Sequence, residues 1–244
     1  MTDSGSILDK IIERQQLAED ASFNPSEMVG NLLKGLSTKE RDILSRRFGL
    51  DGTEPKTLEE IGKSHQITRE RIRQIQVAAI KKVKAIEESR ATLRAVEHTV
   101  TRVLEQAGGI MAEVALLEHL LAYAEKNEQN RQALQFIISQ LLDEKVDPVK
   151  PTEHLHPGWK LKVVSMDFVH QVLRTLHDIV HAHGKLLPTE HVLQRFKAHP
   201  FFGEHRERLL PAGATLGSVT EADLDRLVLS YLTVSSTIEQ NILG

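Results

Sequence analysis

A chain of 244 residues with 40% hydrophobic but only 4% aromatic residues has room for two or three small domains, and its composition favours helical modules packed by Leu, Ile and Val. It contains no cysteine, which excludes disulfide staples, thiolate zinc sites and cysteine nucleophiles. No apolar run approaches the ~18 residues of a membrane helix and no secretory pattern opens the chain, so a cytoplasmic, nucleoid-associated protein without a membrane partner is expected. The net charge of −3 is unevenly spread: −3 over residues 1–36, +5 over 37–84, 0 over 85–94 and −5 over 95–244. Only the second block suits a polyanion.

In chain order, SILDKIIERQQLAE (6–19) places Ile7, Leu8, Ile11 and Ile12 on one side of a short amphipathic helix. Asn24 can cap the next helix, with Pro25 at its first position. Ser37 with Glu40 and Thr57 with Glu60 read as capping boxes, and Thr68 as the cap of a third, basic helix. Gly49 and Asp51-Gly52 separate the first two of these helices. Short helices, tight connections and a long basic helix predict a helix-turn-helix unit, with Gly62 where two helices cross closely.

The basic helix, TRERIRQIQVAAIKKVK (68–84), has two faces. Ile72, Ile75, Ala79, Val83 and Ile86 form an apolar stripe. Opposite lie Glu70, Arg73, Gln74, Val77, Lys81 and Lys84, with Arg71 and Lys82 on a flank and Arg69 near the amino-terminal end. Arg can donate two bonds to guanine, Gln can pair with adenine, and Glu can accept from cytosine. Lys81 and Lys84 suit phosphate. Taken alone, such a face is equally the solvated side of an ordinary basic helix.

After the charged stretch Glu87 to Arg94, two copies of a pattern follow. VEHTVTRVLEQAGGIMAEVALLEHL from Val96 aligns with VLRTLHDIVHAHGKLLPTEHVLQRF from Val172, and Val96, Val100, Val103 and Gly108 match Val172, Leu176, Ile179 and Gly184. LQFIISQLL from Leu134 corresponds to LDRLVLSYL from Leu224, after a longer loop in the second copy. The first copy continues into two extended segments around Pro157-Gly158, which gives the order of a winged helix. The second ends at Gly244 without most of its hairpin, and truncation is the expected reason, since an unpaired strand would leave the helix face uncovered. The third helices carry little positive charge, Arg131 in the first copy and Arg226 beside Glu221, Asp223 and Asp225 in the second. Protein contact is therefore expected of these repeats before phosphate contact. His177, His181 and His183 have ligand-like spacing, but exposed helical histidines are the expected reading. No phosphate loop, nucleophile elbow or catalytic carboxylate pair is present, so neither an enzyme nor a cofactor or metal is expected.

Residues 32–84, through RRFGLDG, TLEEIG and TRERIRQI, resemble region 4 of primary bacterial sigma factors. The resemblance implies a domain that binds the −35 promoter element, usually near TTGACA, as double-stranded DNA, and docks on the β flap of RNA polymerase. It implies that Arg69, Glu70 and Gln74 approach base edges while Arg71 and Arg73 work at bases or adjacent phosphates. The DNA-contacting set is then Thr68, Arg69, Glu70, Arg71, Arg73, Gln74, Val77, Lys81 and Lys84. Where housekeeping sigma factors often have Glu and Lys, this chain has Gln76 and Ala78, so a shifted or relaxed preference is expected. Nothing upstream resembles region 2, and a complete sigma factor is not expected. The second copy is similar to the HARE-type helix-turn-helix, a module that also resembles the amino-terminal domain of the polymerase delta subunit.

The expected architecture is mainly α: an amino-terminal helix and linker (1–28), a sigma region 4-like helix-turn-helix (29–90), and two winged-helix-like repeats (95–164 and 167–244) with small β wings, the second wing truncated. The expected function is sequence-specific regulation of transcription initiation. Two alternatives stay open: a polymerase-binding, anti-sigma-like adaptor without DNA reading, and the DNA-targeting part of a longer effector.

Overall fold

The structure, a computed structural model, describes residues 24–122, 124–142, 144–183, 187–209 and 219–238. The helix expected over 6–19 lies outside these residues. The chain divides into two compact units, Met1–Ala95 with Leu117–Leu142, and Val96–Leu116 with Asp143–Gly244.

The first unit begins with α1 (Pro25–Leu32), where the Asn24 side chain accepts from the Glu27 amide at 3.2 Å and Pro25 holds the first turn. α2 (Thr38–Phe48) and α3 (Leu58–His65) both start with reciprocal capping boxes. The Ser37 amide donates to Glu40 at 2.7 Å and the Thr57 amide to Glu60 at 2.8 Å, satisfying amide groups that a helix start otherwise leaves unpaired. α2 stops at Gly49, whose φ of 67° is left-handed. α4 (Arg69–Ala85) follows α3 after a short turn. Ile43, Ile61 and Ile72, one from each of α2, α3 and α4, are fully buried together, with Leu58, Ile67 and Ile75 packed around them. Of the expected stripe, Ile72, Ala79 and Val83 are buried, while Ile75 and Ile86 are half-buried.

The charged stretch from Glu87 is helical. Ile86 is extended, and α5 (Glu87–Gln106) begins immediately after it, with Arg90 donating to Glu87 at 2.8 Å one turn away. Then come β1 (Ile110–Ala112), α6 (Glu113–Leu120) and α7 (Glu128–Phe136), the last running into a π-turn at Ile137–Leu141. α7 packs on α1 and α2. α7, which overlaps the third helix expected for the first repeat, falls in the unit formed by Met1–Ala95 and Leu117–Leu142.

In the second unit β1, β2 (Val146–Val149) and β3 (Gly158–Leu161) form an antiparallel sheet in the order β1-β3-β2, with Trp159 opposite both Met111 and Pro148. Gly158 is a ladder residue, not a turn residue. A Cβ there would fall 2.4 Å from the Met111 carbonyl oxygen, so β1 can approach β3 only at a glycine. α8 (Met166–His181), α9 (Thr189–Ala198), α10 (Pro200–Leu209) and α11 (Glu221–Val234) complete the unit; α10 occupies part of the expected long loop. Their core includes Val169, Val172, Leu176, Phe196, Leu209, Val228, Tyr231 and Val234, and it takes in Ile110 of β1. Ser230 donates to the Ile110 carbonyl at 2.6 Å and Tyr231 to the Gly108 carbonyl at 3.1 Å. The third helix of the second copy is therefore covered by the strand of the first copy, with a further bridge between Leu155 and Ser235. The fold is mainly helical, a helix-turn-helix followed by winged-helix-like elements.

Candidate nucleic-acid interface

α3 and α4 are held at a fixed crossing by the turn between them. The Ile67 amide donates back to the Gly62 carbonyl at 3.0 Å. Gln66 has φ 55° and is the only non-glycine with positive φ among the described residues, a conformation costing about 1–2 kcal/mol for an L-residue. A Cβ on Gly62 would lie 2.8 Å from the Ile67 carbonyl oxygen, so the turn closes only over a residue without a side chain. Thr68 then caps α4 by accepting from the Arg71 amide at 3.1 Å.

Polar ties hold the pair to α2. His65 Nε2 is 2.7 Å from Asp42 Oδ2, and Asp42 also accepts from Arg46 Nε at 2.9 Å. Lys82 Nζ meets Glu40 Oε2 at 3.2 Å. The backbone hydrogen bond to Ser37, joined by the Ser37 hydroxyl and Lys82, holds the Glu40 carboxyl below its usual range.

On this frame Thr68, Arg69, Glu70, Arg71, Arg73, Gln74 and Lys81 are exposed, Val77 is 53% exposed, and Lys84 is half-buried. Four of these side chains are paired with one another. Arg73 donates Nε and Nη2 to the two Glu70 oxygens at 2.9 and 2.8 Å. Arg71 Nη1 donates to Gln74 Oε1 at 3.2 Å, and Gln74 Nε2 reaches Glu70 Oε1 at 3.5 Å. The Arg73 hydrogen bonds push the Glu70 pKa down, and the same bonds push the Arg73 pKa up. The Lys63 hydrogen bond pulls the Glu59 pKa down, and the Arg69 charge adds a smaller push in the same direction at both Glu59 and Glu70.

The first two turns of α4 thus display planar donors and acceptors already aligned by their neighbours, the equipment for hydrogen bonding to base edges in a major groove. Exchanging an exposed intrahelical pair for a base edge requires little rearrangement, since such pairs are weak in water. Lys39 was not among the residues expected at this face. A shallow cleft of about 270 Å³ lies between the start of α2 and α4, lined by Ser37, Lys39, Glu40, Arg71, Gln74, Ile75 and Ala78. Ala78 leaves the cleft open where a longer residue would enter it.

Away from this unit, His177 and His181 stack at 5.7 Å between ring centres. Among the described residues no three His, Asp or Glu side chains converge as metal ligands, and no helix is long and apolar enough to cross a membrane.

Residues 32–85 match the family described as Sigma-70, region 4. RNA polymerase sigma factor SigA of Microcystis aeruginosa is 52% identical over 58 residues, which is 24% of this chain and 14% of that protein. SigA of a Synechocystis species gives the same identity and coverage. SigA1 of Synechococcus elongatus is 50% identical over 58 residues, again 24% and 14% of the two chains. The chain therefore spans about one seventh of the length of these relatives. No solved structure matches it. Residues 32–85 are thus similar to sigma-70 region 4, and the α3–turn–α4 pair lies within the matched stretch.

Proposed function

We propose that the protein is a DNA-binding regulator of bacterial transcription initiation, acting through a region 4 domain that reads a −35-like promoter element and docks on the RNA polymerase core. The observation that carries this reading is the exposed, mutually aligned set Glu70, Arg71, Arg73 and Gln74, with exposed Arg69 beside it, at the start of a capped helix. Arg69, Glu70 and Gln74 approach base edges, Arg71 and Arg73 work at bases or neighbouring phosphates, and Val77 offers an apolar contact to a thymine methyl. Lys81 and Lys84 face phosphates, and Thr68 fixes the register of the helix start.

The second unit acts through protein contacts. On α11, Arg226 lies 3.5 Å from Asp223, and Lys197 of α9 is paired with Glu221 and Asp225. Residues 95–244 carry a net charge of −5, so counterion release on DNA would contribute little there.

The test is fluorescence anisotropy of the intact chain on a TTGACA duplex and a scrambled duplex at two salt concentrations. A base reader separates the two by tenfold or more, since each mismatched pair costs ~1–3 kcal/mol. Arg69→Ala and Arg73→Ala are expected to erase most of that separation. Equal binding that fades steeply with salt would reduce α4 to a phosphate grip. Absence of binding would instead favour the adaptor that contacts polymerase without DNA.

A further inference from the structure

The segment shared with the sigma factors ends at residue 85, yet the unit containing it includes residues 117–142 as well. α7 meets the matched segment through Gln129, Gln132 and Phe136, which share one helix face. Gln129 Nε2 donates to the Leu50 carbonyl at 3.2 Å, and Gln132 Nε2 donates to the Thr53 carbonyl at 3.1 Å. The Phe136 ring meets the Phe48 ring with centres 4.8 Å apart. Asn130 Oδ1 accepts from the Ser26 amide at 3.1 Å. Phe48, Leu50 and Thr53 all fall inside the matched segment, whereas α7 does not. The matched segment therefore presents Phe48, which is outside the Ile43–Ile61–Ile72 core, to a ring supplied from elsewhere in the chain.

We propose that α7, with the π-turn that follows it, is an internal lid on the protein-docking face of the region 4 unit. Its displacement admits an amphipathic helix of the RNA polymerase core with the same chemistry, an aromatic and aliphatic stripe flanked by carboxamides. This rests on the polymerase-docking reading given above. Two features suit a cover that leaves. Gln132 Oε1 is buried without a hydrogen-bond partner in the protein, and both glutamine donors end on carbonyls of the loop after α2. The face of α4 that carries Arg69 to Gln74 stays exposed while the lid is in place. DNA contact and polymerase contact are thus separable, and the protein can occupy a promoter box with its polymerase face closed.

The lack of cysteine allows the lid to be locked by one engineered pair. A Cβ on Gly52 would lie 3.5 Å from that of Gln129, within the ~3.5–4.5 Å span of a disulfide. The double variant Gly52→Cys, Gln129→Cys is made in the full chain and compared with itself, oxidised by diamide and reduced. Binding to purified bacterial RNA polymerase core and to the TTGACA duplex is measured in both states. The oxidised form is expected to bind core at least tenfold more weakly, with duplex affinity the same in both. Equal core binding in the two states overturns the lid and leaves the docking reading standing. No core binding by either state or by the unsubstituted chain overturns the docking reading, and the lid with it. Because Gly52 has φ 82°, a second variant avoids that position. Gln129→Ala with Gln132→Ala releases both donors and is expected to bind core several-fold more tightly; unchanged or weaker binding counts against the lid.

Discussion

Replacing Gly62 by alanine tests whether the α3–α4 crossing is what aims the basic helix. The added Cβ would sit 2.8 Å from the Ile67 carbonyl oxygen, 3.4 Å from the Arg69 nitrogen and 3.5 Å from the Thr68 carbonyl carbon. All three are backbone atoms, so no side-chain rotation relieves the first contact, which is well short of the 3.4 Å where ordinary contact begins. Within a helix alanine is favoured over glycine by about 0.5–1 kcal/mol, whereas forcing a methyl into a packed crossing costs about 1–3 kcal/mol. Net destabilisation of about 1–2 kcal/mol is expected. The turn must also move, carrying Thr68 and the first turn of α4, so discrimination between TTGACA and scrambled duplexes falls as well. Urea unfolding followed by helical circular dichroism reads the stability, and anisotropy reads the discrimination. The single tryptophan, Trp159, lies in the second unit, and its fluorescence midpoint should not move. A variant as stable as the parent, with discrimination intact, would refute the argument that the crossing requires glycine.

Acid should loosen the helix starts. Glu40, Glu60 and Asp223 are all held below their ordinary pKa by hydrogen bonds from their capping partners Ser37, Thr57 and Thr220. A depressed carboxyl contributes stability that is fully present above the unfolded value, 4.5 for Glu, and is lost as pH falls through the folded value. The melting temperature is expected to decline below that pH, less so in Glu40→Gln; a flat profile from about pH 6 to about pH 3 would contradict it. Tyr231→Phe removes the buried hydrogen bond to Gly108 and should cost about 1–2 kcal/mol, read by Trp159 fluorescence in urea. Burial pushes the Tyr231 phenol far above its ordinary value, so alkaline titration should show it ionising only as the protein unfolds. Glu70→Gln frees Arg73 from its bidentate partner. Binding to scrambled DNA should strengthen while discrimination drops by about one base pair's worth, ~1–3 kcal/mol; unchanged discrimination would remove Glu70 from the reading set.

What could be read directly from the sequence was local chemistry. Asn24, Ser37, Thr57 and Thr68 each cap the helix expected of them, because a cap is a hydrogen bond between residues two or three apart. The apolar stripe of α4 was legible for the same reason. The partner of each stripe was not. Periodicity shows that LQFIISQLL has a buried face, but nothing local says whether that face meets its own winged module or α1 and α2. The strand at Ile110–Ala112 was hidden because three residues carry too little alternation to be distinguished from a helix start. The helix at Pro200 did have a signal, a proline at a first position, which the surrounding loop-like composition obscured. At the interface, the face of α4 could be read residue by residue, whereas the pairing of Arg71 with Gln74 and of Arg73 with Glu70 depended on rotamers that no spacing specifies.

The separation between Ser26 and Asn130, 104 residues along the chain, bears on how the protein is made. Synthesis delivers α1 through α4 first, and contacts within the α2–α4 trio are short-range, which favours rapid local folding. At about 5–20 residues per second, α7 emerges several seconds later. During each round of translation there is an interval in which α2, α3 and α4 can exist together while Phe48 still lacks the Phe136 ring that packs on it. A ribosome that stalls between these segments prolongs the time for which that ring is open to any other apolar chain.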